Sequence, residues 1–297
     1  MNEPTSAETI IVIGASSLIA QAFIEHAIAI HHSTVDNNSA HNSAVQAGDL
    51  PLNIITVSRQ PQLTLAHLTN NIVHQHFYCD YQQTSIIECI SHISEVAGKV
   101  SRIIMCNGIL HSQTAEAQIN PKTQIQPHTH THTQQPSLMP EKRIEDIDAH
   151  SLEQLFYANS IVPMLWLSAL TPLLSQPRHK VSGEQKCVIS ILSARVGSIS
   201  DNRLGGWYGY RASKAALNML IKTTAVEYAR RLKRVKLIAF HPGTTDTPLS
   251  KPFQANVPAG KLFTPEFVAS QLYNIMENSE PDGEASYLDW QGKEISW

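Results

Sequence analysis

Thr9-Ile10-Ile11-Val12-Ile13-Gly14-Ala15-Ser16-Ser17-Leu18-Ile19-Ala20 is the stretch on which the fold turns. Its first five residues form an apolar run, too short for a stable helix and bounded by a turn, and read as a buried strand. Gly14 to Ser17 are small turn residues. Leu18 then opens an apolar helical run that continues to Ile30. A strand, a glycine turn and a helix start are the arrangement that holds a pyrophosphate on backbone N–H groups. With one glycine in the turn, an ordinary strand-to-helix connection explains the stretch nearly as well.

Outward from this unit the same rhythm repeats. Strands are expected at Ile54–Ser58, His74–Cys79, Ile103–Cys106, Cys187–Leu192, Val235–Phe240 and Ser286–Asp289. Helices are expected at Ser85–Val96, Leu152–Leu174, Tyr208–Leu232 and Pro265–Asn278. Apolar strands separated by helices imply a parallel sheet with right-handed crossovers. The expectation is one Rossmann-like α/β domain over residues 1–297, a doubly wound parallel sheet of about seven strands flanked by helices. Two stretches break the rhythm. Residues 31–50 are rich in His, Asn, Ser and Ala, and 112–139 in Gln, Thr, Pro and His, including His128, His130 and His132. Both read as mobile surface insertions. The alternating histidines lack nearby Cys or carboxylate partners, so no metal site is expected.

The chain has 297 residues, 42% of them hydrophobic, which is ample for a packed core, and a net charge of -3. That balance gives no reason to expect nucleic-acid or anionic-membrane binding. No apolar run reaches the ~18 residues that span a bilayer. The segment from Met1 to Glu8 is polar and acidic, unlike a signal peptide. Cys79, Cys89, Cys106 and Cys187 show no paired spacing and read as free thiols in a reducing compartment, so a cytoplasmic location is expected.

Tyr210-Arg211-Ala212-Ser213-Lys214 carries the chemistry. On a helix, residues four apart share a face, so the phenol and the ammonium can reach one pocket. A Lys cation at ~4 Å favours the phenolate by about 4 kcal/mol at an effective dielectric near 20, or ~3 pKa units. That suffices to make a Tyr an acid/base for a carbonyl/alcohol couple. Other strand ends carry ligand-type residues. Ser58-Arg59 lacks the acidic residue that suits an unmodified ribose, and its Arg suits a 2′-phosphate. Cys79-Asp80-Tyr81 offers a carboxylate for an adenine amine. Asn107-Gly108 and Pro242-Gly243-Thr244-Thr245-Asp246-Thr247 follow the fourth and sixth strands.

In that order and spacing the chain resembles the short-chain dehydrogenase/reductase superfamily from Ile10 to about Asp289. Ser193-Ala-Arg-Val-Gly-Ser and Gly205-Gly-Trp-Tyr-Gly-Tyr-Arg-Ala-Ser-Lys are similar to the C-factor-like subgroup, which includes sniffer-type carbonyl reductases. The resemblance implies an oxidoreductase using NADP(H) rather than NAD(H) on a small carbonyl or alcohol substrate. It makes Tyr210 the acid/base and Lys214 its partner. Ser193 would bond the substrate oxygen, with Ser198 as the alternative, and Asn159 would anchor a relay water. It assigns the cofactor to Gly14, Ser16, Ser17, Leu18, Ile19, Arg59, Asp80, Tyr81, Asn107, Gly108, Tyr210, Lys214, Pro242, Gly243, Thr245 and Thr247. Departures are Leu18 and Ala20 at the usual second and third glycines, and Ala194 at the strict serine position. A dinucleotide-binding signalling protein without turnover is the rival reading. Tyr208 is expected in the substrate pocket or in packing. Thr247–Phe263 is expected to form a substrate lid, with Phe253, Val257, Leu262 and Phe263 favouring an apolar or aromatic substrate. A homodimer or homotetramer through the two long helices, with Leu217, Leu220, Ile221 and Val226 as its stripe, completes the expectation.

Overall fold

The computed structural model describes residues 7–39, 51–66, 68, 71–111, 138–175 and 186–297. Strands β1 (Glu8–Ile13), β2 (Leu52–Ser58), β3 (Ile72–Tyr78), β4 (Lys99–Met105), β5 (Cys187–Leu192), β6 (Val235–His241) and β9 (Ala285–Asp289) form a seven-stranded sheet in the order β3-β2-β1-β4-β5-β6-β9. Every pairing in it is parallel. The two-residue strands β7 (Thr244–Thr245) and β8 (Leu262–Phe263) pair beside the sheet. The order reverses between β1 and β4, which opens a crevice beyond their carboxyl ends, where ligands of such sheets bind.

Burial on both sheet faces explains the apolar strand sequences. Along β1, Ile11 and Ile13 enter one core while Ile10 and Val12 enter the other, as a two-residue period requires. The first core takes Ile86 and Ile93 from α2 (Gln83–Val96), and Trp166, Leu170, Leu217 and Ile221 from the other helices below the sheet. The second takes Phe23, Val268 and Leu272 from α1 (Leu18–Ser39) and α6 (Pro265–Glu277). Each such side chain contributes about 1.5–3 kcal/mol on burial. The four cysteines are free, and Cys106 is the one not fully buried.

The structure corrects four expectations. Helix α1 does not end at Ile30 but runs through Ser39. Ser33 Oγ donates to Ile30 O and Thr34 Oγ1 to His31 O, so these polar residues bond back into the helix rather than leaving it. Residues 40–50 lie outside the described residues. So do 112–137 with the alternating histidines, but Leu138 at the end of that expected insertion is buried with Leu110, Leu155 and Tyr210.

The long helix expected at Leu152–Leu174 is a composite. α3 (Ala149–Phe156) starts on Asp148, whose side chain accepts from Ser151 N at 2.9 Å. A π-helical turn, Tyr157–Ile161, follows, and α4 (Val162–Leu174) completes it. The whole span, Ala149–Leu174, is long and apolar enough to cross a membrane by length and composition. Its apolarity has another use here: Val162, Trp166, Leu167, Leu170, Leu173 and Leu174 are buried in the core. On α5 (Tyr208–Arg231), Leu217 and Ile221 are also core residues, whereas Leu220 and Val226 are 36% and 51% exposed, so the expected interface stripe is split.

Candidate active site

The strand ends build two adjoining cavities. One, of about 320 Å³, is lined by Gly14, Ser16, Ser17, Arg59, Asp80 and Tyr81, together with Asn107 and Gly108. The other, of about 270 Å³, is lined by Tyr210, Lys214, Asn159, Ser193, Ile19, Pro242, Gly243, Thr245 and Thr247, again with Asn107 and Gly108. Cys106, Asn107, Gly108 and Ile109, just beyond β4, line both cavities and are therefore the shared wall. Leu18 is 41% exposed and lines a third, open depression with Thr247, outside both cavities.

Gly14 fixes the first cavity. It has φ +78°, and a Cβ there would lie 2.7 Å from Asn107 N and 2.9 Å from Cys106 C. Only glycine allows the β1–α1 turn to press this closely on the end of β4. Ser17 Oγ accepts from Ala20 N at 3.1 Å, which starts α1. Arg59 lies over the Tyr81 ring, 5.9 Å from its centroid. Tyr81 has φ +70°, and its carbonyl accepts from the Tyr157 hydroxyl at 3.2 Å. Asp80 Oδ1 accepts from Gln82 N at 2.8 Å. That bond and one from Ser85 hold its pKa below the usual carboxylate range.

The second cavity holds the buried polar groups. Tyr210 and Lys214 stand one turn apart on α5, 8% and 4% exposed. Lys214 Nζ donates to Leu192 O at 2.8 Å and lies 5.9 Å from the Tyr210 ring centroid. Burial lowers its pKa to about 8. Burial also raises the Tyr210 phenol above its ordinary value, with Tyr287 adding to the rise. The expected depression of Tyr210 by Lys214 is not seen here: desolvation of the phenolate sets the direction, and Lys214 is not among the causes of the shift.

Asn159, in the π turn, is fully buried. Its Oδ1 accepts from Ile109 N at 2.8 Å, and its Nδ2 donates to Ile109 O and Ser213 Oγ. It thereby ties the extension of β4 to α5. A Cβ at Gly108 would lie 3.0 Å from Asn159 Oδ1 and 3.6 Å from Lys214 Nζ, so the missing side chain leaves a gap between these two groups.

Ser193 lines the cavity, but its hydroxyl donates to Asn218 Oδ1 at 2.6 Å. Ser198 Oγ accepts from Asp201 N and lies outside the lining.

The cover of the cavity differs from the expectation. Trp207, not Tyr208, lines it; Tyr208 is 37% exposed. Trp207 has φ +54° and packs on Phe253 at 5.0 Å and Tyr210 at 6.2 Å between centroids. Within the expected lid, Phe253 sits on a short 3₁₀ turn, Lys251–Asn256, and faces the cavity with Leu249 and Ser250. Phe263 instead packs on Trp290 and Phe267, and Val257 and Leu262 do not line the cavity. His111, with Pro248 O and Leu249 O at 3.3 and 3.1 Å, joins the lid to the segment after β4.

Sequence reading missed His241 and Glu141. His241 ends β6, lines the cavity and is held neutral, its pKa lowered by burial to about 4. Glu141 is buried beneath the start of α5. No local feature of the sequence marks Glu141, because the groups it meets, Trp207 N and Gly209 N, lie far along the chain.

The residues present fit a nicotinamide dinucleotide. Gly14 leaves a backbone cradle at a helix start, as a pyrophosphate needs. Among the described residues, Asn107 Oδ1 and Thr245 Oγ1 are buried with no hydrogen-bond partner, on the walls a cofactor would touch.

A family model for short chain dehydrogenases matches residues 137–258. C-signal of Myxococcus xanthus is 31% identical over 152 residues, covering 51% of this chain and 82% of that protein. The NADPH-bound carbonyl reductase from chicken fatty liver superposes with a TM-score of 0.68 at 20% identity, over 98% of this chain and 94% of the other. The carbonyl reductase Sniffer of D. melanogaster gives 0.66 at 17% identity, over 98% of this chain and all of the other.

Proposed function

The chain belongs to the short-chain dehydrogenases, NAD(P)-dependent oxidoreductases, and from that membership we propose that it is one catalytic domain that reduces a ketone or aldehyde with NADPH. One observation carries the proposal: Tyr210 and Lys214 lie one turn apart on α5, in a cavity that shares Asn107 and Gly108 with the cavity holding Gly14 and Arg59.

A bound nicotinamide would supply the hydride in reduction and accept it in oxidation. Gly14, Ser16, Ser17 and Ile19 would hold the pyrophosphate. Arg59 would meet the 2′-phosphate, and Asp80 and Tyr81 the adenine end. Leu18, on the outer side of the turn, would shape the pyrophosphate entrance. Pro242, Gly243, Thr245 and Thr247 would line the nicotinamide end. Tyr210 would give its proton to the carbonyl oxygen as the carbon is reduced. Lys214 would balance the negative charge of the phenolate left on Tyr210 and hold the ribose. The gap beside Gly108 would take a water between Asn159 Oδ1 and Lys214 Nζ. Ser193 would polarise the oxygen once released from Asn218. The apolar walls of Trp207, Phe253, Leu110 and Val196 favour an apolar or aromatic carbonyl. Exposed Met219, Leu220 and Val226 on α5 suit pairing into a homodimer or homotetramer.

The test is titration of the protein with NADPH and NADH, wild type beside Arg59→Ala, followed by turnover of aromatic ketones and aldehydes. NADPH-dependent turnover supports the proposal; binding of neither nucleotide sinks it. A dinucleotide-binding signalling protein without turnover is the second reading. The occupied Ser193 hydroxyl favours it, and nucleotide binding without turnover of any carbonyl would establish it.

A further inference from the structure

We infer that Glu141 is a positioning residue that sets the angle at which Tyr210 enters the cavity. The inference rests on the reading of Tyr210 as the acid/base. α5 begins at Tyr208, and the residue before it, Trp207, has no side chain able to cap the helix. A helix start leaves its first N–H groups without partners, and Ser, Thr, Asp or Asn normally meets one of them. Here the acceptor comes from a distant segment. Both carboxylate oxygens of Glu141 accept from Gly209 N at 3.2 Å. The main-chain oxygen of the same residue accepts from Trp207 N at 2.6 Å.

One residue therefore grips the turn on both sides of Tyr208, immediately before Tyr210. The fit is close. A Cβ at Gly209 would lie 2.8 Å from Glu141 Oε1 and 2.7 Å from Leu155 Cδ1. Glu141 is itself 5% exposed, and a carboxylate that far from water is costly unless its oxygens are bonded. Trp207 is held in the left-handed region, which bulky residues seldom adopt. Its ring then packs against both Tyr210 and Phe253. The clamp thus sets the acid and the aromatic wall together.

The experiment compares wild type, Glu141→Ala, Glu141→Gln and Tyr210→Phe. It reads kcat, KM, NADPH affinity and thermal melting. Glu141→Ala should lower kcat on the order of 10²-fold, the cost of misplacing a catalytic group by about 1 Å. Its NADPH affinity should stay within about threefold, because the nucleotide-binding turns lie elsewhere. Glu141→Gln keeps a side-chain oxygen for Gly209 N and should recover most of the loss. Wild-type kcat in Glu141→Ala, with Tyr210→Phe inactive, overturns the inference alone. Full turnover in Tyr210→Phe overturns the acid/base reading and the inference with it. Equal losses of melting temperature, NADPH affinity and kcat in both Glu141 variants would make the residue structural only, and also overturn it. If Glu141→Ala does not fold, Glu141→Asp, which draws the carboxylate back by one methylene, is judged by the same criteria.

Discussion

At the Gly14 end of the crevice the working groups are a main-chain cradle and exposed side chains on turns; at the Tyr210 end they are buried side chains on helices. Ser16, Arg59 and Asp80 are exposed, whereas Tyr210, Lys214 and Asn159 are buried. The first end depends on backbone shape and tolerates many side chains. The second depends on desolvated polar groups, each needing a partner. Substitutions should therefore act differently at the two ends: through affinity at the first, through rate and stability at the second.

The sharpest attempt to break this contrast is Tyr210→Phe. It should lower kcat about 10³-fold, within the range for a lost acid/base, while the NADPH dissociation constant stays within about threefold. A parallel loss of affinity would abolish the distinction. Lys214→Met comes next, read by urea melts at several pH values. The buried ammonium has its pKa at about 8, against 10.5 as the reference. As pH falls from 10.5 to 8 the unfolded chain takes the proton first. Wild-type stability relative to Lys214→Met should therefore fall across that window, by roughly 3 kcal/mol, and stay level below it. A flat difference would mean that Lys214 is not desolvated.

At the other end, Gly14→Ala must meet the Asn107 backbone at 2.7 Å in a left-handed conformation. With strain of about 1–3 kcal/mol, NADPH affinity should fall on the order of tenfold or more, with kcat at saturation nearly kept. Arg59→Ala should weaken NADPH about tenfold and leave NADH unchanged, by the loss of a charge-assisted contact. The smallest effect expected is from Ser193→Ala. Its hydroxyl already serves Asn218, so kcat should fall less than about tenfold. A loss of the 10²–10³-fold typical of an oxygen-polarising donor would show that the bond to Asn218 breaks in turnover.

The strands and the Tyr210 to Lys214 spacing were legible because burial on both faces and a four-residue helical repeat leave direct marks in sequence. β5 falls at Cys187–Leu192 as read, and α5 begins at Tyr208 as read. Helix continuity through polar residues was less legible: nothing local distinguishes Ser33 and Thr34 bonding back to the helix from the same residues in a loop. The lid was misread because Phe263 and Phe253 have the same character in sequence. In the fold Phe263 pairs with Thr245 in the β7–β8 ladder and packs on Trp290, contacts that no local sequence pattern carries. Glu141 was invisible because its partners, Trp207 and Gly209, lie far along the chain. Nor did the Tyr/Lys spacing carry the depth of burial that raises the phenol.

The π turn at Tyr157–Ile161 has a consequence for how the chain can change. It carries a surplus residue relative to the α ladder, and one residue is about 100° of helical rotation. Deleting any residue of the turn would restore regular hydrogen bonding, yet throw the two helical segments out of phase. Either Asn159 would swing away from Ile109 and Ser213, or Trp166 would leave the core. The surplus residue acts as a gear tooth: it lets one continuous helix serve the crevice with its first half and the sheet with its second.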